Sequence, residues 1–476
     1  MKITLELFTI LFIIFENFLK ISFEFLGLVI DVFIEKPGYH ATFISEGKLL
    51  SSWNKGFCLT GKRNVTVKNS YENALVIGGS GRGKTSCVLI PSIFSMDASM
   101  VIHDPSGELF NKSSGYLALK GYAIKILNFS NPAISDGYNP IVRAQSSSDI
   151  SKVASMVVRT TLGHSKGDPF WTLQSNALIE LFLKFLKTKD SGYQTFTNTL
   201  HLLNTFASSP KKLDLLFARC EDEKLFAEYK AFIAYENKVL SNIIATCKAA
   251  LNIFNDDSIS RVTSHDTIDF QEFRNRKTAL FIQNSVADQA YYSVLTSIFF
   301  EQLFSFIMSR FPKEGENDIF LLIDECSSLQ LPTLPLAVAN VRKHSSGILL
   351  LVQDFNQLVH NYGQYDAEAI RANCFAKLFF TGQSLDTSRD LELLLGKYEI
   401  EEENGNRRVL PLLTNDQIRT MDASNALLIC SHYPPIKANL KPYYKQRSLR
   451  KLSSLTPYEV IDKLPFTEPP LLQFDN

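Results

Sequence analysis

Short apolar runs recur along the chain, each closed by polar or turn-forming residues. They are Ala74–Ile77, Met100–His103, Ala123–Leu127, Ala279–Gln283, Ile319–Ile323, Ile348–Val352, Leu378–Phe380 and Ala426–Cys430. Runs this short, without a helical period, read as strands buried on both faces, the pattern of a parallel sheet. Stretches with helical spacing lie between them. The chain therefore predicts an α/β fold, a mostly parallel sheet with helices on both faces. From about Phe170 to Asp257 the strand signal stops. There Leu173, Ala177, Leu178, Leu181, Phe182, Phe185 and Leu186 follow helical spacing, as do Phe232, Val239, Leu240, Ile243, Ile244, Cys247, Leu251 and Phe254. An all-α insertion over 165–262 thus divides the sheet domain into 37–164 and 263–445, with a tail over 446–476. The insertion is either a packing subdomain or a substrate-docking lid.

The first 36 residues form a separate unit. Residues 1–34 are strongly apolar, but Glu6, Glu16, Lys20, Glu24 and Asp31 interrupt them, and the longest uncharged run is Leu7–Phe15. A simple spanning helix wants about 20 apolar residues. On a helix Glu16, Lys20, Glu24 and Asp31 make one polar stripe. Three readings stay open: a membrane helix with its stripe turned to sister helices or a pore, a helix lying in the membrane interface, and a helix buried on the body. Charge adds one exclusion. Lys+Arg number 49 and Asp+Glu 49, so the chain is no polycation that coats nucleic acid by bulk charge. Seven dispersed cysteines without a CxxC fit reduced thiols in a cytosolic body, not a disulfide scaffold or zinc ribbon.

The strongest local signal follows the run Ala74–Ile77. Gly78, Gly79, Ser80, Gly81, Arg82, Gly83, Lys84 and Thr85 match G-x-x-x-x-G-K-[ST], and an apolar helical run opens at Ser86. Strand, glycine loop and helix in that order make a phosphate-binding loop. Glycines let successive backbone N–H groups turn toward phosphate oxygens, and the helix presents its positive end to the same anion. Lys84 would reach the β- and γ-phosphates of ATP, and the Thr85 hydroxyl would ligate Mg²⁺. The run Ile319–Ile323 then ends in Asp324-Glu325. Acids at the carboxyl end of a buried parallel strand stand where ligands bind in open α/β sheets. Asp324 is the expected Mg²⁺ ligand and Glu325 the residue that polarises the attacking water. Gln353, after Ile348–Val352, is the expected γ-phosphate sensor.

Taken together, these residues resemble the type IV secretion coupling proteins, the conjugative DNA-transfer ATPases. The likeness runs from about Gly56 to Tyr444. It rests on the phosphate loop with Pro91, on Asp104-Pro105-Ser106-Gly107-Glu108 with Gly137–Ile141 after it, and on Gly167–Trp171. It also rests on Ile319–Leu334 with Gly347–Gly363, on Val-Leu-Pro-Leu-Leu ending at Leu413, and on Ala426–Tyr444. The resemblance implies a RecA-like P-loop motor, an ATP hydrolase that assembles as a homo-hexamer. It implies a place at the bacterial inner membrane with the ATPase body in the cytoplasm. The partners would be a relaxase-bound single-stranded DNA and the components of a type IV secretion channel. Some members deliver protein effectors instead, and a nucleotide-binding scaffold of the channel is a third reading. RecA-like motors complete the site with an arginine from the neighbouring subunit. Arg371 is the first candidate, ahead of Lys377 and Arg389.

This chain departs from the family pattern at both ends. Members usually begin with two membrane helices, and many end in an acidic tail. Here Phe466–Asn476 holds only Glu468 and Asp475. Cations gather instead at Lys437, Lys441, Lys445, Arg447, Arg450 and Lys451, with no acid between Tyr433 and Tyr458. This stretch is a solvated basic surface, or a grip for DNA phosphates or lipid headgroups.

Overall fold

The computed structural model describes residues 38–162, 169–284, 287–403, 405–461 and 469–474. The apolar segment 1–36 lies outside them, as do Gly167 and Asp168. Every apolar run named above forms a strand, some a residue or two longer: β1 (Ala74–Ile77), β2 (Ser99–His103), β3 (Ala123–Asn128), β4 (Thr278–Gln283), β5 (Ile319–Ile323), β6 (Ser346–Val352), β7 (Ala376–Phe380) and, later, β10 (Asn425–Cys430). Three further strands were not legible. They are β8 (Lys397–Glu401), β9 (Arg407–Pro411) and β11 (Ile436–Asn439). β8 and β9 are polar and largely exposed, and they form a hairpin of their own.

The main sheet has nine strands in the order β11-β10-β7-β1-β6-β5-β2-β4-β3. From β7 to β3 all neighbours are parallel. β10 runs antiparallel to β7, and β11 closes that edge as its hairpin partner. The strands are buried on both faces because successive side chains enter opposite cores. Leu75 and Ile77 of β1 join one core while Ala74 and Val76 join the other; Ile319, Leu321 and Ile323 of β5 likewise oppose Phe320 and Leu322. Packing is close where β6 passes the chain just before β1. A Cβ on Gly347 would stand 2.0 Å from the Ser70 carbonyl oxygen and 3.1 Å from Phe320. Gly347→Ala is therefore expected to cost about 1–3 kcal/mol through forced backbone movement. Urea unfolding checks it, and an unchanged midpoint would contradict this packing.

Between β3 and β4 the described residues hold helices and turns but no strand. Helices Ser147–Leu162, Pro169–Lys187, Phe196–Ser208, Pro210–Ala218, Glu223–Ile233, Asn237–Leu251 and Asp257–Thr263 make up most of this block. Its interior is aromatic. Phe217 stacks on Tyr229 with centroids 4.3 Å apart, Phe185 lies 4.6 Å from Phe217, and Phe196 lies 3.9 Å from Phe254. These residues belong to the same core as one face of the sheet. The helix Gln289–Ser309 is long and apolar enough to cross a membrane, but most of it is buried in that core, which accounts for its composition. The chain end folds back onto the helical block. Asn198 Nδ2 donates to the Pro470 carbonyl at 2.9 Å, the Leu472 N–H donates to Asn198 Oδ1 at 2.9 Å, and the Phe474 ring packs on His201.

Candidate nucleotide-binding site

Four neighbouring strands, β1, β6, β5 and β2, end on one edge of the sheet. The residues that follow them meet there. Ile77 pairs with Val352 across β1 and β6, and the Gly78 N–H continues that ladder to the Val352 carbonyl at 3.1 Å. Gln353 follows directly. On the next strand Ile323 pairs with Leu350 of β6 and with His103 of β2, so Asp324 and Asp104 stand side by side at the same level.

The loop from Gly78 to Ser86 leads into an apolar helix, Thr85–Ser95, which is π-wound over Thr85–Leu89 just ahead of Pro91. Gly81 and Gly83 take φ of +71° and +94°, a conformation that non-glycine residues adopt at a cost. A Cβ on Gly81 would meet nothing within 4 Å, so the mouth of the loop is open. Ser80, Gly81 and Arg82 are exposed, whereas Lys84 is buried. The Lys84 ammonium donates to the carbonyls of Gly78 and Gly79. Burial lowers its pKa, and the charges of Asp324 and Glu325 oppose that shift. The Ser86 hydroxyl donates to the Gly83 carbonyl at 3.2 Å.

Of the two acids facing the loop, Asp324 is desolvated and Glu325 is strained. Burial, with the Glu325 charge beside it, pushes the Asp324 carboxyl up to about 7. Such a carboxyl gains most from a cation. Glu325 sits in the left-handed region with φ +51° and ψ +47°, unusual for a residue with a Cβ. Its N–H donates to Asp324 Oδ1 at 3.1 Å, and its carbonyl accepts from the Ser328 N–H at 2.9 Å and the Ser328 hydroxyl at 2.8 Å. Glu325 and Gln353 line a polar cleft of about 500 Å³ together with Asn356, Gln357 and His360. The Gln353 N–H donates to Gln357 Oε1 at 3.2 Å, and Asn361 Nδ2 donates to the Ser327 carbonyl at 2.6 Å. One short helical segment thus touches the ends of both β5 and β6. An open glycine loop, a buried lysine and a desolvated carboxyl suit a nucleotide phosphate with a hard divalent cation. The residues present fit ATP and Mg²⁺.

Residues 39–464 match the model of the family described as Type IV secretory system Conjugative DNA transfer. The chain belongs to that family. Among its relatives, protein VirD4 of Rhizobium radiobacter is 20% identical over 405 residues, covering 80% of this chain and 58% of that protein. Conjugal transfer protein TraG of Escherichia coli is 21% identical over 451 residues, covering 83% of this chain and 70% of TraG. The chain therefore spans under two thirds of the length of the VirD4 relatives it matches. Among solved structures, the bacterial conjugative coupling protein TrwBdeltaN70, in complex with sulphate, superposes with a TM-score of 0.67 at 20% identity, over 86% of this chain and 95% of its own. Plasmid coupling protein TrwB in complex with ADP and Mg²⁺ gives 0.64 at 20% identity, over 84% and 94%. With the sheet order above, this likeness establishes the RecA-like P-loop fold.

In this member of the coupling family, the three candidate cations for a neighbouring subunit's site lie between Gly363 and Leu395. The helical stretch Phe355–Ala372 is broken at Gly363, with φ +77°. Arg371 packs on the Phe355 ring at 4.7 Å, bonds Glu368 at 2.7 Å and lies 3.9 Å from Asp390. The chain then enters β7 beside residues 72 and 73, which precede β1. Lys377 sits in β7 itself, its pKa lowered by burial, and Arg389 is exposed on the helix Leu385–Leu395. Conversely, sequence reasoning gave no site role to Asp104, although it opens a stretch that carries the family resemblance, nor to His103 and Gln383. Asp104 is buried, and burial raises its carboxyl to about 6. It caps the first turn of the helix Glu108–Leu119 by accepting from Leu109 N–H at 3.1 Å and Phe110 N–H at 2.8 Å. It follows a buried strand just as Asp324 does, and that signal was available. Gln383 Nε2 donates to the Ile77 carbonyl at 3.1 Å and braces the loop from β7.

Proposed function

We propose that the chain is the ATP hydrolase of a conjugative coupling complex. Its turnover drives a relaxase-bound single DNA strand into a type IV secretion channel. The observation that carries this reading is the convergence of the Gly78–Ser86 loop, Asp324, Glu325 and Gln353 at the ends of β1, β5 and β6. In it Gly78, Gly79, Ser80, Gly81, Arg82 and Gly83 cradle the phosphates of ATP with backbone N–H groups. Lys84 neutralises the β- and γ-phosphates, and Thr85 and Asp324 would hold Mg²⁺, with Ser86 at the α-phosphate end. Bound Mg²⁺ would supply charge neutralisation on the phosphate oxygens. Glu325 accepts the proton of the attacking water and orients it, from a cleft wide enough to admit water. Gln353 reads the terminal phosphate and passes its presence to the segment after β6 through its bond to Gln357.

Charge grows on the transferred phosphate, and the cleft lining contains no lysine or arginine. A second copy of the chain in a homo-hexameric ring is the natural source. Arg371 is a weak donor for that role, because Glu368, Asp390 and Phe355 already engage it within its own chain. We read it as a structural contact. The family resemblance supports residence at the bacterial inner membrane, with the segment 1–36 as the membrane-associating part and the ATPase body in the cytoplasm. The six cations from Lys437 to Lys451 are all exposed, as an anion-facing surface requires. A mating assay tests the reading. Replacing the wild-type gene in a donor cell with a Lys84→Ala copy is expected to bring DNA transfer to background, and undiminished transfer would overturn it.

A further inference from the structure

We propose that His103 is a positioning residue for Glu325, standing in for a backbone donor that the sheet lacks. The proposal rests on the hydrolytic reading above. In a parallel ladder, successive residues point their N–H groups to alternate neighbours. Asp104 donates its N–H to the Ile282 carbonyl of β4 at 2.9 Å. The next donor facing β5 would come from residue 105, and from the pairing of His103 with Ile323 its target would be the Asp324 carbonyl. Residue 105 is proline and has no N–H. The Asp324 carbonyl would thus be left without its ladder partner at the point where the chain turns into the left-handed Glu325.

The His103 side chain fills that gap. Its Nδ1 lies 2.6 Å from the Asp324 carbonyl oxygen. A carbonyl only accepts, so Nδ1 carries the proton and donates. The imidazole is fully enclosed, with the Phe300 ring edge-on at 6.3 Å, and is not free to swing away. On the other side of the turn Ser328 holds the Glu325 carbonyl, and Gln289 Nε2 holds the Ser328 hydroxyl at 2.6 Å. Glu325 is therefore pinned from both sides in a conformation it would not choose alone. Losing the His103 bond frees the peptide between Asp324 and Glu325 and leaves the catalytic carboxylate unaimed, while the phosphate loop, on β1, is untouched.

The test compares the full wild-type chain with His103→Phe and His103→Asn in steady-state ATP turnover with single-stranded DNA, alongside binding of a fluorescent ATP analogue and thermal melting. Phenylalanine keeps a buried ring without a donor. Asparagine keeps a donor near the Nδ1 position. We expect His103→Phe to lower kcat about 10–100-fold, with KM and analogue affinity near wild type, and His103→Asn to recover most of kcat. His103→Gln, with its donor one bond further out, replaces the phenylalanine variant if that one does not fold, and should also lose kcat. Wild-type kcat in His103→Phe, or equal losses in the donor-retaining and donor-free variants, overturns the proposal. A wild-type chain that binds the analogue without turnover overturns the hydrolytic reading and this proposal with it.

Discussion

Glu325→Gln should abolish most ATP turnover while leaving nucleotide binding intact. The substitution keeps the side chain's size and removes its capacity to accept a proton. Glu325 lines the water-accessible cleft with Gln353, whereas the phosphate cradle is built from the loop after β1. Loss of one preorganised group aimed at the reacting centre is worth about 10²–10³-fold in rate. Phosphate release under single-turnover conditions measures the loss, and a fluorescent analogue measures binding. Turnover near wild type would remove Glu325 from the proposed role.

Lys84→Ala should lose turnover by a similar factor, about 10²–10³-fold, but with a different signature. Lys84 is the cation buried beside Asp324 and Glu325, and its ammonium already reaches the loop carbonyls of Gly78 and Gly79. Removing it leaves two carboxylates facing an incoming polyanion without their counter-charge. Nucleotide binding should therefore weaken along with turnover, in contrast to Glu325→Gln. Equal analogue affinity for the two variants would contradict the placement of Lys84 on the phosphates.

The strands that carry the site were legible because they are buried on both faces, which leaves a continuous apolar run in the sequence. The phosphate loop and Asp324-Glu325 were legible for the same reason, since each follows such a run. β8, β9 and β11 were not, because their exposed polar positions erase that signal. The antiparallel turn at β10 was equally hidden, as apolarity says nothing of direction. The surroundings of Arg371 were not legible, because it meets Phe355 across the break at Gly363 and Asp390 from the helix after β7, contacts that only the folded chain brings together. His103 depended on knowing which strand lies beside which. Only once β2 neighbours β5 does the missing N–H of Pro105 become a gap that an imidazole fills.

The most direct test of the account is ATP turnover by the purified full chain in Mg²⁺, with and without saturating single-stranded DNA, using Glu325→Gln as the blank. A DNA-driven motor predicts turnover well above the blank that rises when single-stranded DNA is added. Turnover indifferent to DNA, or nucleotide binding with no turnover in either condition, would contradict it.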